Sequence, residues 1–219
     1  MKISIIITNY NYGKYISACL KSCFNQSFSK KDYEVILVDD CSNDQSKKKI
    51  KNFEHKKNFK FIENKKNLGV AASANVGIKN SKGKFFVRVD ADDYINKNFL
   101  KLLFSNIVKK PKILGISSDY CYFNNNGKKF KRFSYKLKPI SCGVLYNKKK
   151  LINYGIYNPK FRHREEEELR KRIGKNYKII NLEKNLYYYR MHRSNKTKQK
   201  KMMSNFKDKL SKLHNKILP

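Results

Sequence analysis

Four short apolar runs in the first ninety residues alternate with segments of helical periodicity, and this order constrains the fold more than any other feature. The runs lie at residues 2–8, 34–38, 59–62 and 85–89. The helical patterns cover residues 15–24, 42–53 and 70–79. Short apolar runs rich in Ile, Val and Phe predict buried strands. Strands joined in turn by helices predict a parallel sheet covered by helices.

The pattern changes after residue 94, where strands and helices no longer alternate. A helical face is expected over residues 99–107 and another helix from about residue 148. The Asn126-Gly127 pair predicts a hairpin between two strands. Strands are predicted at residues 113–123, 129–137, 140–146, 177–180 and 186–189. This half of the chain should therefore add a smaller mixed or antiparallel portion to the sheet.

Carboxylates follow two of the predicted parallel strands. Asp39 and Asp40 end the second strand, and Asp90, Asp92 and Asp93 end the fourth. Parallel strands end on the same edge of a sheet, where open α/β folds bind ligands. A hard divalent cation explains such clustering, because Mg²⁺ takes one or two carboxylates together with substrate phosphates. The alternative is an acidic helix start that the helix dipole favours.

The end of the first strand adds Thr8 and Tyr10 to this edge. An aromatic ring can stack on a base, and a carboxylate can accept hydrogen bonds from a base or ribose. No GxGxxG follows the first strand and no GxxxxGK[ST] occurs in the sequence, so the dinucleotide and P-loop fingerprints are absent. The sequence therefore predicts a nucleotide site in which a metal ion mainly neutralises the diphosphate.

The composition adds little to this interpretation. The net charge of +34 would suit nucleic acid or an anionic membrane. The abundance of Lys, Asn, Ile, Tyr and Phe is also what an A+T-rich genome imposes, so we expect no nucleic-acid partner. Five cysteines without a CxxC pair predict free thiols in a reducing compartment. No apolar run has the length of a signal sequence or a spanning helix, and a cytoplasmic location is expected.

Five motifs in order resemble the family 2 glycosyltransferases, which have the GT-A fold. They are SIIITNYNYGKYISACLKS, EVILVDDCSND, NLGVAASANVGIKNSKGKFFVRVDADD, EEEELRKRI and YYYRMH. The resemblance implies an inverting transfer of a sugar from a nucleoside-diphosphate donor, with Mg²⁺ or Mn²⁺ as cofactor. The acceptor would be a hydroxyl of a growing surface glycan, such as a lipopolysaccharide, a capsule or a lipid-linked oligosaccharide. A uridine nucleotide is the preferred donor.

The resemblance also assigns roles to individual positions. Asp90 and Asp92 match the DxD motif, with Asp92 as the direct metal ligand. Ala74 occupies a position where many relatives have an arginine that contacts the donor, and Lys82 or Arg88 is a candidate replacement. The residues expected to bind the nucleotide sugar are Thr8, Tyr10, Asp39, Asp40, Asn67, Gly69, Asn75, Asp90, Arg190 and His192.

Inverting transfer needs a general base that takes the proton of the acceptor hydroxyl. The resemblance places this base in the run 165–168, and Glu166 takes the family's Asp position. Glu165 and Glu166 both flank the apolar stripe of the predicted helix, so Glu165 remains open as the alternative. Glu167 and Glu168 are expected to face solvent.

The expected organisation is one catalytic domain over residues 1–195 followed by a basic amphipathic helix over 196–219. The domain would divide into a nucleotide-binding half, 1–94, and an acceptor-side half, 95–195. The terminal helix could lie on the anionic cytoplasmic face of a membrane or pack on the domain.

Two other functions compete with glycosyl transfer. These are sugar-nucleotide formation by a nucleotidyltransferase, and binding of nucleic acid, which leaves the ordered acids unexplained.

Overall fold

The computed structural model describes residues 1–192, 195, 204, 208–211 and 213, and one mixed sheet organises them. The strands are β1 Ile3–Asn9, β2 Tyr33–Asp39, β3 Phe59–Glu63, β4 Phe85–Asp90, β5 Tyr94–Ile95, β6 Gly115–Phe123, β7 Lys129–Phe133, β8 Leu145–Asn147 and β9 Ile179–Arg190. The α-helices are α1 Ile16–Phe24, α2 Ser46–Lys51, α3 Val70–Asn80, α4 Phe99–Ile107, α5 Lys148–Asn153 and α6 Glu165–Ile173. A 3₁₀ turn, Gly174–Asn176, follows α6.

The sheet joins a parallel half to a mixed half. Its order is β3-β2-β1-β4-β8-β6-β9-β5, with β7 paired to β6. The first four strands are parallel, so β1, β2 and β4 end on one edge. Strand β8 is antiparallel to both β4 and β6, whereas β9 is parallel to β6. The predicted α/β class, with a parallel core and a smaller mixed portion, is confirmed.

The central strands of the parallel half are buried on both faces of the sheet. Every residue of β2 is buried, as are six of the seven residues of β1, which explains why these runs are apolar throughout rather than alternating. Helix α3 approaches β1 closely because it carries Gly77, where an added Cβ would lie 2.5 Å from Ile6 Cγ2. The small residues of α3 therefore set how near this helix lies to the strand ends.

The mixed half differs from the predictions in three places. The strand predicted at 140–146 is a loop up to residue 144, because Gly143 adopts a positive φ of 77° and donates its N–H to the carbonyl of Arg88. The strand predicted at 129–137 ends at Phe133. The two strands predicted at 177–180 and 186–189 form the single strand β9.

The predicted helix at 196–219 lies mostly outside the described residues. Ser204, residues 208–211 and Leu213 are helical. Leu210 is buried, and Lys209 donates to the carbonyl of Lys160 at 2.9 Å. Within the described part of the chain, no helix combines the length and apolar character that crossing a bilayer requires. All five cysteines are free, as predicted.

Candidate active site

A cavity of about 400 Å³ opens where β1, β2 and β4 end. Its described lining is formally balanced in charge although the chain carries +34 overall. The acidic residues that line it are Asp40, Asp90, Asp92, Glu165 and Glu167. The basic residues that line it are Arg88, Lys138, Arg162, Arg164 and Arg170. This balance of charge suits a ligand that is itself anionic and is bound together with a cation.

The end of β1 contributes Thr8 and Tyr10 to the cavity wall. Tyr10 is 38% exposed, so its ring is accessible to a ligand. Tyr12 also lines the cavity, and its ring lies 5.9 Å from that of His192. Burial and the nearby charges of Asp92 and Asp90 raise the pKa of Tyr12, which keeps its hydroxyl protonated as a donor.

Asp39 and Asp40 are adjacent but have different surroundings. Asp39 is fully buried and does not line the cavity. Its Oδ1 accepts from Asn9 Nδ2 at 2.6 Å and from Ser42 Oγ at 2.7 Å, and its Oδ2 accepts from the Ser42 N–H at 2.9 Å. Asp39 therefore fixes the turn after β2, in which Cys41 has a φ of 65°.

Asp40 lines the cavity and also holds the loop before α3. Its carboxylate accepts from the N–H groups of Leu68 and Gly69, both at 2.8 Å, and from Asn64 Nδ2 at 2.9 Å. Asn67 Nδ2 donates to the Asp40 carbonyl at 3.3 Å. A carboxylate has about four lone-pair sites, so these three bonds leave about one for a ligand. The predicted residues Asn67 and Gly69 thus act on Asp40 and do not line the cavity.

Asp93 accepts hydrogen bonds from β9 and does not line the cavity. Its Oδ2 accepts from the Tyr187 hydroxyl and its Oδ1 from the Arg190 N–H, both at 2.7 Å. Burial, with the nearby charges of Asp92 and Asp90, raises its pKa well above the usual range for a carboxyl. Asp93 therefore fastens β9 to the end of β4.

The predicted metal ligands are Asp90 and Asp92, which lie at and just beyond the end of β4. Both line the cavity, and the Oδ1 of Asp90 is buried without a hydrogen bond from any described residue. Ligand atoms of Asp90, Asp93 and Cys142 lie within 4.8 Å of one another. Burial and the charges of Asp90 and Asp93 raise the pKa of Cys142 well above its usual value, so its thiol stays protonated. A hard cation prefers oxygen ligands, so it would be bound by the carboxylate oxygens rather than by the sulfur of Cys142.

Arg190 and His192 support Asp92 from behind the cavity. His192 Nε2 lies 2.8 Å from Asp92 Oδ2, and Arg190 Nε donates to the Asp92 carbonyl at 2.7 Å. The guanidinium of Arg190 also lies 4.8 Å from the Tyr15 ring. Neither residue lines the cavity, although Asn195, which accepts from the His192 N–H at 2.5 Å, does. These predicted site residues hold the DxD turn in place.

A buried arginine joins the DxD turn to the acidic start of α6. Arg88 Nη1 donates to Glu165 Oε1 at 2.8 Å, and Arg88 Nε lies 3.4 Å from Asp90 Oδ1. Although burial opposes the charge of Arg88, Asp90 and Glu165 raise its pKa well above the usual value. Arg88 therefore remains charged between two carboxylates that line the cavity.

Glu166 lies beneath the cavity wall, one position from Glu165. It is 1% exposed and does not line the cavity. Its Oε1 accepts from the hydroxyls of Tyr146 and Tyr177, and its Oε2 has no hydrogen-bond partner among the described residues. Burial raises the pKa of this carboxyl. Glu168, expected in solvent, is instead buried and pairs with Arg172 at 2.8 Å.

The remaining predicted contact, Asn75, lies away from the cavity and donates to the Tyr157 carbonyl at 2.7 Å. Several residues that line the cavity were not predicted from the sequence, including Arg162 and Arg164. The signal for these was the basic run immediately before the acids of α6. Arg162 Nη2 donates to the Asn67 carbonyl at 3.0 Å, so this run packs across the loop that Asp40 holds.

Comparison with known proteins decides the family. The model named Glycosyl transferase family 2 matches residues 4–176. The chain belongs to this family. Its structural neighbours share the predicted GT-A fold. The structure of TarS 1–349 of Staphylococcus aureus in complex with UDP-GlcNAc superposes with a TM-score of 0.76 at 26% identity, covering 89% of this chain and 60% of that one.

Two curated relatives show the same relationship in sequence. The poly(ribitol-phosphate) beta-N-acetylglucosaminyltransferase TarS of S. aureus is 38% identical over 102 residues, 46% of this chain and 18% of TarS. The glycosyltransferase GlyA of Streptococcus pneumoniae is 26% identical over 217 residues, 88% of this chain and 31% of GlyA. This family 2 chain therefore spans less than a third of the length of either relative.

Proposed function

We propose that this family 2 chain is a glycosyltransferase that moves a sugar, with inversion, from a nucleoside-diphosphate sugar to a hydroxyl of a surface glycan. The observation that carries the proposal is the convergence of Asp40, Asp90, Asp92 and Glu165 on one cavity that also holds arginines. A uridine nucleotide is the proposed donor, because a similar protein, TarS, has been crystallised with UDP-GlcNAc. Tyr10 would stack on the base, and the one acceptor site left on Asp40 would receive a hydrogen bond from the base or ribose.

The proposed metal ligands are Asp92 and Asp90, for either Mg²⁺ or Mn²⁺. An ion bound there would supply Lewis-acid stabilisation of the departing diphosphate. The chain itself adds Arg162 and Arg164 to the same wall, and their positive charge would favour the same leaving group. His192 and Arg190 would keep the Asp92 carboxylate oriented toward the cavity through the contacts described above.

The proposed general base belongs to the first turn of α6. The resemblance assigns it to Glu166, and two observations favour Glu165 as a second candidate. Glu165 lines the cavity, whereas Glu166 is retained by two tyrosine hydroxyls below the wall. Arg88 binds only one oxygen of Glu165 at hydrogen-bond distance, so the other oxygen is the one proposed to take the acceptor proton.

The proposed acceptor is a bacterial surface polymer or its lipid-linked precursor, in keeping with the polyol-phosphate acceptor named for TarS. The proposed location is the cytoplasmic face of the membrane, with the chain peripherally attached. In the described part of the tail, Leu210 is buried and Lys209 is exposed, and the proposed membrane contact would be made by exposed lysines such as this one.

The test is a panel of nucleotide sugars with Mn²⁺, scored by thermal shift and by release of the nucleoside diphosphate. We expect one UDP-sugar to stabilise the protein and to be hydrolysed or transferred. The paired variants Glu165→Gln and Glu166→Gln then assign the base. The variant that lacks the base should lose sugar transfer and should still bind the donor. Failure of every nucleotide sugar to bind would refute the proposal.

A further inference from the structure

The hairpin that carries β7 is unusually basic and lies at the cavity mouth. Residues 124–138 contain six Lys and Arg and no Asp or Glu. Only Arg132 has an ionic partner within the described part of the chain, Asp119 at 2.7 Å. The other basic residues of the hairpin are Lys128, Lys129, Lys131, Lys136 and Lys138. Their charge is left for solvent or for a ligand.

A chain of aromatic rings runs along this hairpin to the cavity. Tyr122 lines the cavity, and its ring lies 4.5 Å from that of Phe133 and 6.0 Å from that of Phe130. Two ammonium groups lie over these rings: Lys138 Nζ is 4.5 Å and Lys131 Nζ is 5.3 Å from the centre of the Phe133 ring. We call these five residues, Tyr122, Phe130, Lys131, Phe133 and Lys138, the hairpin shelf.

The ordinary explanation for lysines on β7 is protection of a sheet edge, because charge on an edge strand discourages pairing with another chain. That explanation does not account for Phe130, which is 54% exposed on the same strand. An exposed ring on an edge strand increases the risk of association. It also does not account for the continuity of the rings with the cavity, where Lys138 itself forms part of the lining.

We propose that the hairpin shelf binds the acceptor, and that the acceptor is a polyanionic glycan or polyol-phosphate chain. The aromatic faces would pack against the C–H surfaces of the sugar or polyol units, and the lysines would pair with the anionic groups between them. The inference rests on the proposed function, because it extends the site from the donor cavity to the chain that receives the sugar.

The test compares binding of poly(ribitol-phosphate) oligomers and of uncharged dextran by titration calorimetry. The double variant K131Q/K138Q removes two shelf charges, and K48Q/K51Q removes two exposed lysines of α2, which do not line the cavity. We expect the shelf variant to lose about three- to tenfold in affinity for the oligomer, with a weaker salt dependence, since each exposed charge contact contributes little alone. The control pair should bind as the wild type does.

A second pair of variants tests the aromatic part of the shelf. Phe130→Ala removes an exposed ring, and Val108→Ala, at a residue 48% exposed beyond α4, is its control. Phe130→Ala should weaken binding of poly(ribitol-phosphate) and leave binding of inorganic polyphosphate unchanged. Equal losses in shelf and control variants would overturn the proposal. Preference for phosphatidylglycerol vesicles over the oligomer would overturn it as well.

The donor assay separates the two proposals. If nucleotide sugars bind and are turned over but no anionic chain binds the shelf, the hairpin inference fails and the proposed function stands. If no nucleotide sugar binds, the proposed function fails, whatever the polymer titration gives.

Discussion

The contact between Arg88 and Glu165 gives the sharpest prediction about how the site is built. Arg88 is 3% exposed and the side chain of Glu165 is 5% exposed, so the pair is buried. Replacing Arg88 by Met removes the cation and leaves two carboxylates facing each other without it. Breaking a buried ion pair from one side costs about 3–5 kcal/mol, because an uncompensated charge remains in the interior. A domain has only about 5–15 kcal/mol of stability in total, so Arg88→Met should be severely destabilised.

Urea denaturation followed by circular dichroism measures this loss. The double variant R88M/E165Q should recover part of it, because only the Asp90 carboxylate is then left without the cation, and the two substitutions couple by about 0.5–3 kcal/mol. Lys2→Gln is the control, since it breaks an exposed pair with Asp32 and should cost about 1 kcal/mol or less. A loss of stability in Arg88→Met no larger than in Lys2→Gln would refute the reasoning. So would a double variant that is no more stable than Arg88→Met.

Three further predictions concern the metal ligands, Glu166 and the tail. Asp92→Asn should abolish the increase in melting temperature that Mn²⁺ adds to donor binding, and an unchanged increase would remove Asp92 as a ligand. Burial raises the pKa of Glu166, so its stabilising effect is complete below the ordinary carboxyl pKa and is lost as the pH rises through the raised value. Glu166→Gln should therefore gain stability relative to wild type as the pH rises above the ordinary carboxyl pKa, measured by urea titrations. A stability difference that stays constant as the pH rises would contradict the raised pKa of Glu166. Deleting residues 198–219 should lower binding to anionic liposomes, and unchanged binding would exclude a membrane role for the tail.

Much of the first half of the chain could be predicted because its signals are local. Strands β1, β2 and β4 are mainly apolar runs that are buried on both faces, and short helical segments leave few ways to connect them. The mixed half was less predictable. The loop before β8 carries apolar residues typical of a strand, but its conformation depends on a hydrogen bond between Gly143 and Arg88, 55 positions away in sequence.

The sequence by itself determined which strand ends carry acids, and the tertiary structure decided which of those acids meet a ligand. Neighbouring residues at a strand end point in different directions, so Asp40 faces the cavity while Asp39 ties down its own turn. Successive residues of a helix are about 100° apart, which separates Glu165 from Glu166. The groups that bind the acids turned away from the cavity are Tyr146, Tyr177, Tyr187 and Arg190. They come from β8, from β9 and from the segment before it, and only folding brings these distant parts of the chain against the strand ends.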